Sequence, residues 1–186
     1  VDDEKEEASY VASKIKELVK DKVKYEDIAI LYRTNAQSRV IEEYMLKNAI
    51  PYRVVGSFYF YNRKEIKDLL CYLRLIYNYK DDTSLLRIIN VPKRGIGDKT
   101  IESISKVANS NNISLYEAIS GGKELKFKAI IEEMRIMAAN LSLTEIVDMV
   151  LDKSGIRKEL EDEKTMESEI RLENLEEFKS ITKNYE

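Results

Sequence analysis

Two side chains suited to nucleotide chemistry, Tyr32 and Arg33, stand together at the end of a short apolar run. The run, residues 28–31, is short enough for a buried strand, and the helix-capping residues Thr34 and Asn35 follow it. Ligands of parallel α/β sheets bind beyond the carboxyl ends of the strands. A tyrosine ring there can stack on a base, and an arginine can hold a phosphate. The pair is therefore a candidate nucleotide contact, although a core tyrosine beside an ion-paired arginine is the commoner explanation of such a dipeptide taken alone.

A second candidate site is the Gly-Ile-Gly turn at residues 95–97. Pro92 is expected to end the preceding helix, the glycines permit positive φ, and Asp98 could cap the helix that follows. Backbone N–H groups at such a helix N-terminus favour a phosphate. Residues 87–106 hold five bases against two acids, among them Lys93, Arg94 and Lys99 around the turn. This pattern fits a helix-hairpin-helix-like clamp on a DNA backbone, and it fits an ordinary turn with solvated lysines equally well.

Composition narrows the class of protein. The chain has 186 residues, 44% hydrophobic and 35% charged, which suits one large domain or two small ones. The net charge of -3 gives no overall basic signature, so any DNA contact must come from a local patch. The absence of histidine excludes Ser-His-Asp and Cys-His catalysis and His-ligated metal sites, and no metal site is predicted. The single cysteine, Cys71, is expected to be a core thiol in a reducing, cytoplasmic setting.

Three further expectations come from the start of the sequence, from the lack of a long apolar run and from the lack of a P-loop motif. The sequence begins at Val1 without a methionine, in a run of acidic residues, and this predicts a piece of a longer protein rather than a signal peptide. No apolar run approaches the length of a membrane span, so no membrane partner is expected. There is no G-x-x-x-x-G-K-[ST] loop, and we therefore expect that the chain alone does not hydrolyse ATP.

Apolar periodicity predicts a small α/β piece up to about residue 80. It indicates a helix over 7–20, a strand over 28–32, a helix ending near Asn48 and a strand over 50–55. The two strands and the helix between them would form a βαβ-type unit with a parallel sheet.

The rest of the sequence predicts helices only. The strongest helical pattern covers residues 63–79, and the acidic stretch 159–177, with nine carboxylates and two bases, is expected to be a solvated helix face. Further helices are predicted over 85–89, 101–108, 115–119, 124–141 and 144–151. The fold class is thus α/β plus all-α, with residues 1–80 and 81–186 as the two parts.

Residues 30–39, ILYRTNAQSR, resemble motif IV of the UvrD/PcrA/Rep family of superfamily 1 DNA helicases. The similarity continues in order through nearly the whole chain. It includes IPY at 50–52, FYNRKEIKD at 60–68, NVPKRGIG at 90–97 and RLENLEE at 171–177.

The resemblance implies a partial RecA-like, P-loop NTPase-type piece of the second motor domain (2A, residues 1–80) followed by its helical insertion (2B, 81–186). The parent would be an ATP-dependent 3′–5′ helicase that uses ATP with Mg²⁺. Arg33 would be its catalytic arginine finger and Tyr32 would stack on adenine. Walker motifs A and B and motifs V and VI are missing from this sequence, so the fragment is expected to be inactive and to bind nucleotide weakly.

The same resemblance implies a contact with a junction of duplex and single-stranded DNA. The residues that match, or that stand beside, the DNA-contacting motifs are Arg63, Lys93, Arg94, Gly95, Ile96, Gly97, Lys99 and Thr100. Other implied partners are the missing motor domains of the same chain and DNA repair or replication proteins, in the bacterial cytoplasm at the nucleoid. Two alternatives remain open: a free-standing helical DNA-binding or protein-interaction module, and a subunit of a related helicase-nuclease.

Overall fold

The structure is a computed structural model that describes residues 4–32, 35–55 and 60–185, without the side chains of residues 35, 36 and 184. Within these ranges the regular structure is helical. The α-helices are α1 (Glu4–Lys20), α2 (Asn35–Lys47), α3 (Lys64–Tyr77), α4 (Asp82–Ile88), α5 (Asp98–Asn111), α6 (Leu115–Ala118), α7 (Gly122–Ala138), α8 (Leu143–Ser154), α9 (Ile156–Glu163) and α10 (Met166–Thr182). Short 3-10 helices cover Tyr25–Asp27, Phe60–Asn62 and Lys183–Tyr185.

The chain divides into two compact units, Val1–Arg63 and Lys64–Glu186. The division falls before the predicted boundary at residue 80, because α3 packs on α4, α7, α8 and α10. The strongest helical pattern of the sequence therefore belongs to the second unit. Each predicted helix forms near its expected position, which confirms the helical part of the fold class.

In the first unit, α1 packs on α2. The fully buried members of this core are Ala12, Ile15, Met45 and Ile50. Ile28, Ile30 and Tyr52 pack against it from the two segments that were predicted to be strands.

The predicted strands, residues 28–32 and 50–55, are not formed in the described part of the chain. Both segments are irregular, although the backbone of Ile28 is extended (φ -108°, ψ 128°). A strand is defined by hydrogen bonds to a neighbouring strand, and neither segment has such a partner here. Of the predicted βαβ unit, the described residues thus contain the helix and two irregular flanking segments.

The second unit is a helical assembly, and four of its helices begin at side-chain caps. The Asp81 side chain accepts the Ser84 N–H at the start of α4, and Ser114, Ser142 and Thr165 cap α6, α8 and α10 in capping boxes. These caps satisfy backbone N–H groups of the first turn and so fix the residue at which each of these four helices begins. Its fully buried side chains include Leu69, Tyr72, Leu85, Tyr116, Phe127 and Ile131.

The acidic stretch forms two helices rather than one solvated face. Lys164, in the left-handed region at φ 48°, ends α9, and Thr165 then starts α10. Leu160 and Leu175 on these helices are buried. No helix in the described ranges is both long and apolar enough to cross a membrane.

Candidate nucleotide and nucleic-acid sites

The Gly-Ile-Gly turn lies between α4 and α5, and the side chain of Asn90 holds its backbone by hydrogen bonds. The Asn90 side-chain oxygen accepts the backbone N–H groups of Arg94 (2.7 Å) and Ile96 (3.3 Å). The Ile96 side chain is buried, so only its backbone can face a ligand. Gly95 has the positive φ (+68°) that the sequence predicts, whereas Gly97 has φ -101°. The turn thus presents backbone outward and an isoleucine inward.

The helix after the turn begins without a capping side chain. Gly97 is the N-cap and Asp98 is the first helical residue, so the predicted cap by Asp98 is wrong. Thr100 donates its backbone N–H to the Gly97 carbonyl within this first turn. An uncapped first turn leaves its N–H groups to solvent or to an anion, while the exposed carboxylate of Asp98 opposes an anion there.

Exposed lysines surround the turn, and one of them comes from a distant part of the sequence. Lys93 and Lys99 are exposed, as their predicted role requires. Lys123, in the first turn of α7, lies so close that a Cβ on Gly95 would stand 2.7 Å from its Nζ. Sequence reasoning missed Lys123, although a Gly-Gly-Lys start of a helix was a usable signal.

An acidic residue also reaches the turn. The Lys93 backbone N–H donates to Oε1 of Glu159 over 3.4 Å. Glu159 belongs to α9, within the acidic stretch that was predicted to be a solvated helix face. Its carboxylate lowers the positive potential beside the turn.

Arg94 differs from these lysines because its guanidinium points into the protein. Nη1 donates to the carbonyls of Val91 (2.7 Å) and Pro92 (3.1 Å). Nη2 donates to the Tyr72 hydroxyl (2.8 Å) and to the Ser154 carbonyl (2.9 Å). A phosphate contact by Arg94 would have to break these bonds, so the geometry favours an internal role.

The Tyr72 hydroxyl links this arginine back to the loop. It donates to the Val91 carbonyl over 2.5 Å while it accepts from Arg94. Burial raises the pKa of Tyr72 to about 12, and the nearby guanidinium only partly offsets this rise. The hydroxyl therefore keeps its proton at neutral pH and can donate and accept at the same time.

Arg63, predicted as a DNA contact, is buried in the first unit. Its Nη2 donates to Ser38 Oγ over 2.8 Å, and its guanidinium carbon lies 5.3 Å from the Phe60 ring centroid. Glu42 is buried nearby, and its Oε1 has no hydrogen-bond partner among the described residues. Burial raises the pKa of Glu42, against the opposing effects of Ser38, the Phe60 backbone and Arg63. The surroundings of Arg63 are those of a packed internal group rather than of a DNA-facing one.

Of the two residues in the predicted nucleotide contact, the structure describes only Tyr32. Arg33 lies outside the described residues, and Tyr32 is half-buried. Tyr32 lines a cavity of about 690 Å³ in the first unit. Other residues of its wall are Ile28, Ile30, Glu42, Met45, Tyr52 and Val54. The cavity is lined by the two segments that were predicted to be strands together with residues of α1 and α2. In the described part of the chain, no cluster of three or more cysteine or carboxylate side chains is arranged to hold a metal ion.

Comparison with known proteins defines the class first. Residues 1–186 match the family described as "UvrD-like helicase C-terminal domain". The chain belongs to this family of helicase domains, which confirms the resemblance found in the sequence.

Individual relatives are similar to this chain over nearly its whole length. The protein named "ATP-dependent DNA helicase PcrA" of Staphylococcus aureus strain Mu50 is 48% identical over 98% of this chain. The protein of the same name in Staphylococcus epidermidis strain RP62A is 49% identical over the same share. The chain spans 27% of the length of these relatives, about a quarter.

Proposed function

We propose that this chain is part of an ATP-dependent 3′–5′ DNA helicase and that its helical unit contacts duplex DNA. The observation that carries the proposal is the outward backbone of the Gly95–Gly97 turn among three exposed lysines, Lys93, Lys99 and Lys123. The family of the chain and the names of its relatives support the helicase activity of the whole protein.

The duplex contact follows from the chemistry of the turn. Backbone N–H groups at the uncapped start of α5 and three ammonium groups suit phosphate oxygens, which all DNA sequences share. Such a contact would be independent of sequence and sensitive to salt. Asp98 and Glu159 stand close enough to weaken it, which suits a grip that must be released as the helicase moves along the DNA.

The nucleotide contact is the second part of the proposal. Tyr32 would stack on the adenine of ATP, and Arg33 would stabilise negative charge on the γ-phosphate. The half-buried Tyr32 at the end of an extended segment fits a ring that offers one face to a base. ATP with Mg²⁺ would supply the free energy for movement when bound against a P-loop carried elsewhere in the whole protein. The chain by itself would bind nucleotide weakly.

The domain assignment is also proposed. Residues 1–80 would be the first part of the second RecA-like motor domain (2A), and residues 81–186 its helical insertion (2B). The irregular segments 28–32 and 50–55 would become strands by pairing with other segments of the whole protein. Leu31 and Val55, which are 94% and 76% exposed, are side chains that elements packed on the faces of such a sheet would cover. In a bacterial cell this protein would act on DNA in the cytoplasm, with repair or replication proteins as partners.

The duplex contact is tested by binding of this chain to three DNA molecules over a range of salt concentrations. These are a duplex with a 3′ single-stranded tail, the blunt duplex and the single strand alone. We expect binding that requires the duplex and weakens linearly on a log–log plot against salt. No binding to either duplex at low salt would refute the contact.

A further inference from the structure

Arg94 links the candidate DNA-contacting turn to three helices, α3, α7 and α8. Its guanidinium donates to the Tyr72 hydroxyl of α3 and to the Ser154 carbonyl at the end of α8. Its central carbon lies 5.3 Å from the centroid of the Phe127 ring of α7. Tyr72 and Phe127 are fully buried, so neither can touch a ligand at the surface.

The same guanidinium also holds the chain just before the turn. It donates to the carbonyls of Val91 and Pro92, and the Tyr72 hydroxyl donates to the Val91 carbonyl as well. Gly95 and the flanking Lys93 follow immediately along the chain. The Asn90 side chain holds the backbone of the turn, and the Arg94 guanidinium, with donors on several sides, holds the chain before the turn on the helical core.

We propose that Arg94 is the positioning residue of the duplex-contacting turn, and that it fixes Lys93 and the Gly95–Gly97 backbone without touching DNA. This role rests on the proposed duplex contact.

Arginine is suited to this position for a physical reason. Its planar fork carries five donors in fixed directions, and it can stack on an aromatic face while donating in its own plane. A lysine ammonium has three donors around one point, so it cannot reach the Ser154 carbonyl, the Tyr72 hydroxyl and the loop carbonyls together. Charge alone would therefore not preserve the position of the turn.

The test uses a buried partner of Arg94 that DNA cannot reach. Tyr72→Phe removes only the hydroxyl and keeps the volume of the core. We expect the Kd for duplex DNA to rise about threefold to tenfold in this variant, since two hydrogen bonds that orient the loop are lost. Arg94→Lys should raise the Kd at least as much although the net charge is unchanged. The double variant should show less than the product of the two effects, because both changes break one network.

Arg135→Lys is the matched control. Arg135 also donates to a backbone carbonyl, that of Ile76, and stacks over a tyrosine ring, Tyr79, at 4.6 Å. Its loss should lower the melting temperature of the chain while duplex affinity stays unchanged. Circular dichroism at the temperature of the binding assay checks that every variant is folded.

The outcomes separate this inference from the function on which it rests. Wild-type binding with unchanged affinity in Tyr72→Phe, or in Arg94→Lys, would overturn the positioning role and leave the duplex contact standing. Equal loss of affinity in Arg135→Lys would also overturn it, because a general loss of stability would then explain the effect. No duplex binding by the wild-type chain would refute the proposed contact and this role together.

Discussion

Nη2 of Arg63 donates a 2.8 Å hydrogen bond to Oγ of Ser38, and both side chains are buried in the first unit. The bond ties the segment before α3 to α2. Because α2 begins two residues after Arg33, Arg63 helps to fix the helix that follows the proposed catalytic residue.

Arg63→Ala should destabilise the first unit by about 2–3 kcal/mol, since a buried charged hydrogen bond is lost and Glu42 loses a nearby positive charge. Hydrogen exchange of the α2 amides in increasing urea measures the change in that unit. The exposed Arg53 provides the control, and Arg53→Ala should change stability by less than about 0.5 kcal/mol. Unchanged exchange in Arg63→Ala would show that the bond contributes nothing to the stability of α2.

The buried carboxyl of Glu42 makes the stability of the first unit depend on pH. Burial raises its pKa above the ordinary value of 4.5, so the folded state holds the proton more tightly than the unfolded state. The stabilising contribution of the protonated carboxyl is full below pH 4.5 and is lost as the pH rises through the raised pKa. Glu42→Gln should therefore gain stability relative to wild type as the pH increases from 4.5 to neutral.

Urea unfolding of wild type and Glu42→Gln at a series of pH values measures this difference. Glu26→Gln, at an exposed position of the same unit, is the control for removal of one negative charge. A relative stability of Glu42→Gln that falls with increasing pH would contradict the sign.

Lys123 is the proposed phosphate contact that only the fold brings to the turn. Lys123→Ala should weaken duplex binding and reduce the slope of log K against log salt by about one. Lys106→Ala is the matched control, since Lys106 lies on α5 about 10 Å along the helix axis from Lys99. Titrations at several salt concentrations give both slopes. Identical slopes for wild type and Lys123→Ala would exclude a phosphate contact by this side chain.

Arg33 is tested in the full-length protein, where the proposed ATP site is complete. Arg33→Ala should reduce the rate of ATP hydrolysis by about 10³-fold or more and leave ATP binding largely intact, because an arginine finger acts on the charge of the transition state. Steady-state turnover and equilibrium nucleotide binding measure the two effects. Turnover equal to that of wild type would remove Arg33 from this role, and Arg74→Ala, at an exposed position of α3, serves as the control.

The sequence by itself determined the family, the helices and the turn. Apolar spacing acts over a few neighbouring positions, so α3 and the helices α4 to α8 were predicted close to where they lie. The Gly-Ile-Gly pattern likewise predicted a positive φ, which Gly95 has. These features depend on local backbone preferences that the sequence carries in order.

Only the tertiary structure decided which basic side chains are free to meet a ligand. Lys93, Arg94 and Arg63 look equivalent in sequence, yet Lys93 is exposed whereas the other two donate inside the protein. Lys123 reaches the turn although it is far from Gly95 in the chain. The irregular segments 28–32 and 50–55 follow the same rule, because a strand forms only when it is hydrogen-bonded to a neighbouring strand. In each of these cases the outcome depends on contacts with residues that are distant in sequence. The local sequence pattern carries no information about those contacts.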